Sequence, residues 1–139
     1  MKFLIIGLGN FGQTLATTLT DNGHDVIGVD INTHKVEMTK ERTSLSYILD
    51  ATDIFALRSL PLADIDCAIV AIGQSMDHSL RSVAALKQLG VETIYARAID
   101  GVHKSILEAM NISKIFIPES YAAKIFADKF TSQSSEELL

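Results

Sequence analysis

Residues Phe3–Ile6 form a continuous apolar run that leads without interruption into Gly7-Leu8-Gly9-Asn10-Phe11-Gly12. A run of this kind is expected of a strand covered on both faces. The glycine spacing, G-x-G-x-x-G, is a weak signal when it stands alone. Here a strand precedes it, a helix is expected from about Asn10 to Asp21, and a second strand follows at Asp25–Asp30. Phe11, Leu15, Ala16 and Leu19 recur at helical spacing, and Asn22-Gly23 supply the stop. Parallel strands need a crossover over the face of the sheet, so this opening commits the chain to a layered α/β arrangement.

The alternation continues to the end. Asn32 is placed to cap a polar helix through about Glu41, and Leu45–Leu49 reads as a third strand. Thr52 or Asp53 caps a short helix holding Ile54, Leu57 and Leu60, which Pro61 ends. Cys67–Ile72 is the fourth strand. Ser75 caps a helix with Leu80, Val83, Ala84 and Leu86 on one face, ending at Gly90. Thr93–Ala98, a helix from Asp100 to Met110, a strand at Lys114–Ile117 and a helix at Glu119–Phe130 complete the pattern, and 131–139 reads as a polar, frayed tail. Six strands with intervening helices predict a Rossmann-like doubly wound parallel sheet of order 3-2-1-4-5-6.

The glycine loop has specific physical uses. Gly7 permits the tight turn, Gly9 lets the backbone approach a pyrophosphate, and Gly12 lets helix and strand pack closely. The helix N-terminus then offers free N–H groups and partial positive charge to a phosphate. Asp30 ends the second strand, eighteen residues after Gly12. There a carboxylate accepts hydrogen bonds from a ribose and repels a 2′-phosphate, which disfavours NADP; it also suits the cap of the next helix. Lys35 reads as a phosphate contact or a solvated helix residue. Asp50-Ala51-Thr52 and Ala71-Ile72-Gly73 follow the third and fourth strands, where open α/β sheets bind ligands; each is equally compatible with a plain turn and cap. Arg97 sits in an apolar setting and needs an anionic partner, either a phosphate or Glu119 or Asp100.

Composition narrows the function further. Twelve basic and seventeen acidic residues give a net charge of -5, which argues against a nucleic-acid surface. A single cysteine, Cys67, excludes an intramolecular disulfide framework and a multi-cysteine zinc site, and its apolar strand makes it an inert buried thiol. The N-terminal apolar run is too short for a signal peptide, and nothing reaches the length of a membrane span, so a reducing cytosol is expected. His24, His34, His78 and His103 fall in turns or on polar helix faces, which predicts solvent exposure. No catalytic constellation is visible. In the last helix Ala122, Phe126 and Phe130 share one face, flanked by Tyr121 and Ile125. That stripe either packs back on its own sheet or covers a second subunit.

The succession Ile5–Gly12, Val29-Asp30-Ile31-Asn32, Asp50-Ala51-Thr52, Ala68–Gly73, Ala96-Arg97-Ala98 and Ile117-Pro118-Glu119 resembles the N-terminal RCK, or KTN (TrkA-N), domain of Trk/Ktr-type potassium-uptake regulators. The resemblance covers about residues 1–130. It implies a nucleotide-binding domain over 1–118 and a crossover or dimerisation helix with a polar tail over 119–139. The implied protein is a cytoplasmic gating subunit rather than an enzyme. It would bind NAD(H) or ATP, ADP or AMP as a signal and form homodimers that assemble into a ring. The ring would lie against the inner face of the membrane, on a potassium transporter or channel subunit. Carried over by position, Gly7, Gly9, Asn10, Phe11 and Gly12 line the phosphates, Asp30 meets the ribose, and Asn32 counts among the cofactor-binding residues. Ile31, Asp50, Ala51 and Thr52 border the adenine, and Ala71, Ile72, Gly73 and Arg97 line the rest of the crevice. Glu119 lies near the subunit junction, where some relatives bind a cation. Several relatives carry Arg at the position of Asn10, so a strong ATP preference does not carry over. The alternative reading is a small NAD-dependent oxidoreductase whose site is completed across a dimer.

Overall fold

The computed structural model describes residues 1–132. Its elements, in chain order, are β1 (Lys2–Ile6), α1 (Asn10–Asp21), β2 (Asp25–Asp30), α2 (Thr33–Thr39), β3 (Leu45–Ile48), α3 (Ile54–Arg58), β4 (Cys67–Val70), α4 (Met76–Gln88), β5 (Ile94–Arg97), α5 (Gly101–Ala109), β6 (Lys114–Phe116) and α6 (Pro118–Phe130). The strands form one six-stranded sheet of order β3-β2-β1-β4-β5-β6, and every pair is parallel. This is the Rossmann-like arrangement expected from the alternation of strand and helix.

Alternation along each strand divides the core into two layers. Leu4, Ile6, Ile27, Val29, Ala68 and Val70 face one layer, where Leu57 of α3, Val83 and Leu86 of α4 and Leu107 of α5 meet them. Phe3, Ile5, Val26, Cys67 and Ile69 face the other, packed with Ala16 and Leu15 of α1 and Val36 of α2. The central strand β1 is buried from Phe3 to Ile6 because it has neighbours on both edges and helices on both faces.

Local chemistry sets the boundaries. Asp53, not Thr52, caps α3: its Oδ1 accepts from Phe55 N at 2.9 Å, while the Thr52 hydroxyl is committed to Asp50. Asn32, Ser75 and Asp100 cap α2, α4 and α5 through Lys35 N, His78 N and His103 N. The second helix stops at Thr39, short of the expected Glu41, where the hydroxyls of Thr39 and Thr43 bond back to Val36 O and Thr39 O. The fourth strand ends at Val70 instead of Ile72, although Ala71 N still donates to Ile6 O at 2.7 Å. Residues 133–139 of the expected tail lie outside the described residues.

The expectation for His103 is overturned. Its side chain is completely buried between α4 and α5. Ile99 N donates to Nδ1 at 2.9 Å, so the ring proton resides on Nε2 and is donated to Ser79 Oγ at 3.0 Å. Helical spacing placed His103 opposite the apolar stripe, but two satisfied ring nitrogens make the imidazole a core residue. Burial lowers its pKa from the ordinary 6.5, opposed by the negative charge of Asp100. In the unfolded chain the imidazole takes up a proton that the native site refuses. The stability that follows is complete above pH 6.5 and is lost as pH falls through the lowered native pKa. Urea denaturation between pH 7 and pH 5 is expected to show declining stability, with a shallower decline in His103→Gln.

Helix α6 stands apart from both layers. None of its residues is buried, and Tyr121 and Phe130 are 71% and 68% exposed. The apolar stripe therefore does not pack back on its own sheet. Half-buried Pro118 and Ala122 and the ion pair from Glu119 to Arg97 tie its first turns to the rest of the fold.

Candidate functional site

A crevice of about 840 Å³ opens at the carboxyl ends of β1, β2, β4 and β5. Small-molecule sites typically enclose about 300–1,000 Å³, and in doubly wound sheets they lie at this edge, where strand order reverses. The reversal falls between β1 and its two neighbours, β2 and β4. Gly7 N donates to Val29 O at 2.9 Å, which continues the ladder past the end of β1 and seats the loop between the neighbouring strands.

The three loop glycines meet different surroundings. Gly7 has φ +98°, a left-handed conformation that disfavours a side chain, and a Cβ there would lie 3.0 Å from Ile72 N. Gly12 is buried beneath the loop: a Cβ would stand 1.8 Å from Gly7 O. Gly9 has an ordinary extended backbone, and a Cβ there would meet no atom within 4 Å. It opens α1 without any side-chain cap, so the first-turn amides beside the crevice have no side-chain acceptor. An anion supplies what they lack.

Asp30 holds this loop from the second strand. Its Oδ2 accepts from Leu8 N at 2.7 Å and its Oδ1 from Asn32 N at 2.8 Å. The carboxylate thereby fixes the phosphate loop relative to β2 and retains lone pairs for a diol. The helix that follows is capped by Asn32, so the capping duty considered for Asp30 falls elsewhere. At the neighbouring strand end the Thr52 hydroxyl and N–H both donate to Asp50, which holds that carboxyl below its usual range. Ile31 is exposed and Ala51 buried where they border the same end of the crevice.

The opposite end is built around Arg97. Its guanidinium lies on the backbone of Gly73, where a Cβ would be 2.8 Å from Nη1. It stands 5.6 Å from the centroid of the Phe11 ring, which packs in turn on Phe116. Its Nη2 pairs with Glu119, the ion pair foreseen as one option, and its Nε is buried without a partner.

All the residues singled out from the sequence line this crevice except Gly12, whose place is under the loop. His78 and Ser82 of α4 also line it, as do Pro118 and Ala122 of α6. The first pair was legible: spaced four apart in the helix after β4, they share the face turned to the strand ends. The α6 residues carry no such signal, because their place depends on how the last helix leaves the sheet.

Two groups with chemical reactivity lie elsewhere. Burial pushes the Cys67 thiol up to about 11, with the Asp66 charge adding to the effect. In the Ser79–His103 contact the imidazole is the donor, the reverse of a general base toward serine. Among the described residues no group of His, Cys, Asp and Glu has the arrangement to hold a metal ion, and no helix is long and apolar enough to cross a membrane.

Strand order, glycine loop and crevice together define a domain of the Rossmann-like class. Residues 3–118 match the TrkA-N domain, and the chain belongs to that family. It is 35% identical over 133 residues to the Ktr system potassium uptake protein C of Bacillus subtilis, covering 96% of this chain and 60% of that protein. The chain spans between half and three-fifths of the length of such curated relatives. Among solved structures it is similar in fold to the NAD(P)-binding domain of an exopolyphosphatase-related protein from Archaeoglobus fulgidus. That match has a TM-score of 0.81 and 23% identity over 92% of this chain and 96% of the other. It is also similar to the Kef CTD of Shewanella denitrificans in AMP-bound form, with a TM-score of 0.77 and 21% identity over 97% and 85% of the two chains.

Proposed function

We propose that this chain is the nucleotide-sensing unit of a potassium uptake system, binding NAD(H) or an adenine nucleotide as a signal and acting on a membrane transporter or channel subunit. One observation carries the reading: Gly9 leaves open space at an uncapped helix N-terminus, with the Asp30 carboxylate fixed beside it. That pairing suits a phosphate next to a ribose. Kinship with potassium uptake proteins supplies the physiological setting. The function is regulatory rather than enzymatic, and the site residues are those named from the sequence, with Gly12 acting from beneath the loop. Calorimetry with NADH, NAD, ATP, ADP and AMP tests the reading, and at least one of them is expected to bind. Failure of all five, or NADH-dependent turnover of carbonyl compounds, overturns it.

The proposal extends to assembly. The described part of the expected crossover segment is α6, which presents Ile125, Phe126 and Phe130 on a surface that its own sheet leaves uncovered. The Phe126 and Phe130 rings lie 6.2 Å apart and stacked, a ready apolar anchor. A second copy covers them, and the dimers join into a ring at the inner face of the membrane. Light scattering is expected to show a dimer or a multiple of it. Ile125→Asp combined with Phe126→Asp is expected to give a monomer that still binds nucleotide.

A further inference from the structure

The Arg97 side chain is 17% exposed, and its partner Glu119 is 62% exposed. This asymmetry has a consequence for what the pair does. The guanidinium is held in place by Gly73 below it, Phe11 beside it and the end of β5 behind it. Glu119 is held by little else than Arg97, and it belongs to the first turn of α6, a helix without a buried residue. The fixed member of the pair therefore faces the crevice, and the loosely held member belongs to the helix that leaves the fold.

Arg97 also has donor capacity to spare. Its Nε is buried without a partner, and it is the only guanidinium among the described residues lining the crevice. A planar fork of N–H donors prefers a phosphate, which accepts two parallel bonds and carries more charge than a carboxylate. Both Arg97 and Glu119 line the same crevice as the glycine loop. A phosphate chain that starts at Gly9 and runs toward β5 therefore meets Arg97 and competes directly with Glu119 for it.

We propose that Arg97 is an exchangeable latch. Paired with Glu119, it holds the first turn of α6 against the end of the sheet. Transferred to a ligand phosphate, it frees Glu119 and with it the angle at which α6 departs. The crevice then reports the phosphates of its occupant through one side chain, and α6 carries the report outward. This inference rests on the nucleotide-binding reading above and assigns the transmitting contact within it.

A double-mutant cycle on the full chain tests it, with ADP and adenosine as probes and calorimetry as the readout. Glu119→Gln removes the competitor, and ADP affinity is expected to rise about two- to five-fold, the range of an exposed ion pair. The gain is expected to exceed any change for adenosine, which has no phosphate. In an Arg97→Met background the same Glu119→Gln substitution is expected to change ADP affinity by less than about 1.5-fold, because the two residues act through one contact. Simple repulsion between Glu119 and phosphate predicts instead that the gain persists without Arg97, and that result overturns the latch. Arg97→Gln, which removes the charge but keeps a polar stem, serves as the background should Arg97→Met fail to fold. Hydrogen exchange gives a second readout: ADP is expected to speed exchange in the first turn of α6 in the wild type and to leave Glu119→Gln unchanged. Protection of that turn by ADP also overturns the latch. Additive effects in a chain that binds ADP refute the latch alone. A wild-type chain that binds none of NADH, NAD, ATP, ADP and AMP refutes both the latch and the nucleotide reading.

Discussion

Gly12→Ala is expected to be among the most destabilising single-methyl additions in this protein. The added Cβ would stand 1.8 Å from Gly7 O and 2.9 Å from Gly7 C, both backbone atoms. Flexible side chains move aside cheaply, but this carbonyl does not. Gly7 is tied by its own N–H to Val29 O at 2.9 Å and sits in a left-handed conformation against Ile72. Relief requires the start of α1 to lift away from β1, where Leu8 and Ala16 are fully buried. Overpacking a core ordinarily costs about 1–3 kcal/mol, and a clash with fixed backbone belongs at the upper end or beyond it. A loss of about 3 kcal/mol or more is expected in urea, with a fall in Tm of roughly 10 °C. Gly101→Ala is the matched control. No atom lies within 4 Å of its added Cβ, and a small gain of about 0.4–1 kcal/mol is expected there. Near-native stability of Gly12→Ala would show that the helix–strand contact is looser than described.

Gly9→Val is expected to separate binding from folding. The backbone at Gly9 has φ -69° and ψ -170°, which any L-residue adopts, and the position is open on the crevice side. Stability is expected to fall by about 1 kcal/mol, the cost of a β-branched residue at an N-cap position, with the fold retained. Nucleotide affinity is expected to collapse, because the isopropyl group takes the volume that a pyrophosphate needs against the helix amides. Losing two hydrogen bonds to a charged group, at about 1.5–3 kcal/mol each, corresponds to a hundredfold or greater loss. Calorimetry with NADH or ADP on the folded variant is the measurement. Unchanged affinity would remove the glycine loop from the site. The two substitutions probe one loop at positions three residues apart and predict opposite outcomes, one in stability and the other in binding.

Much of this architecture is legible in the amino-acid sequence. The apolar run Phe3–Ile6, the glycine loop and Asp30 lie within thirty residues, and the loop joins strand to helix directly. Their relation is local, so sequence spacing carries it. The short strand ends were less legible. Whether Ile72 continues β4 depends on neighbouring ladders, and the Thr39 and Thr43 hydroxyls that end α2 act through their own backbone. His103 was misread for a related reason. Its polarity suggested solvent, but its burial follows from Ile99 and Ser79, and Ser79 lies twenty-four residues away in another helix.

The sequence by itself determined the strand–helix alternation and the loop that opens the crevice, which follow from periodicity and glycine conformation acting over short stretches of chain. The sheet order was expected only as the customary order of the doubly wound fold that this alternation implies. Only the tertiary structure decided that Arg97 selects Glu119 rather than Asp100, and that α6 leaves its apolar face uncovered. The physical reason is the same in both cases. An ion pair and a buried face depend on the three-dimensional placement of segments far apart in the chain, and residue spacing alone does not encode the angle at which the last helix leaves the sheet.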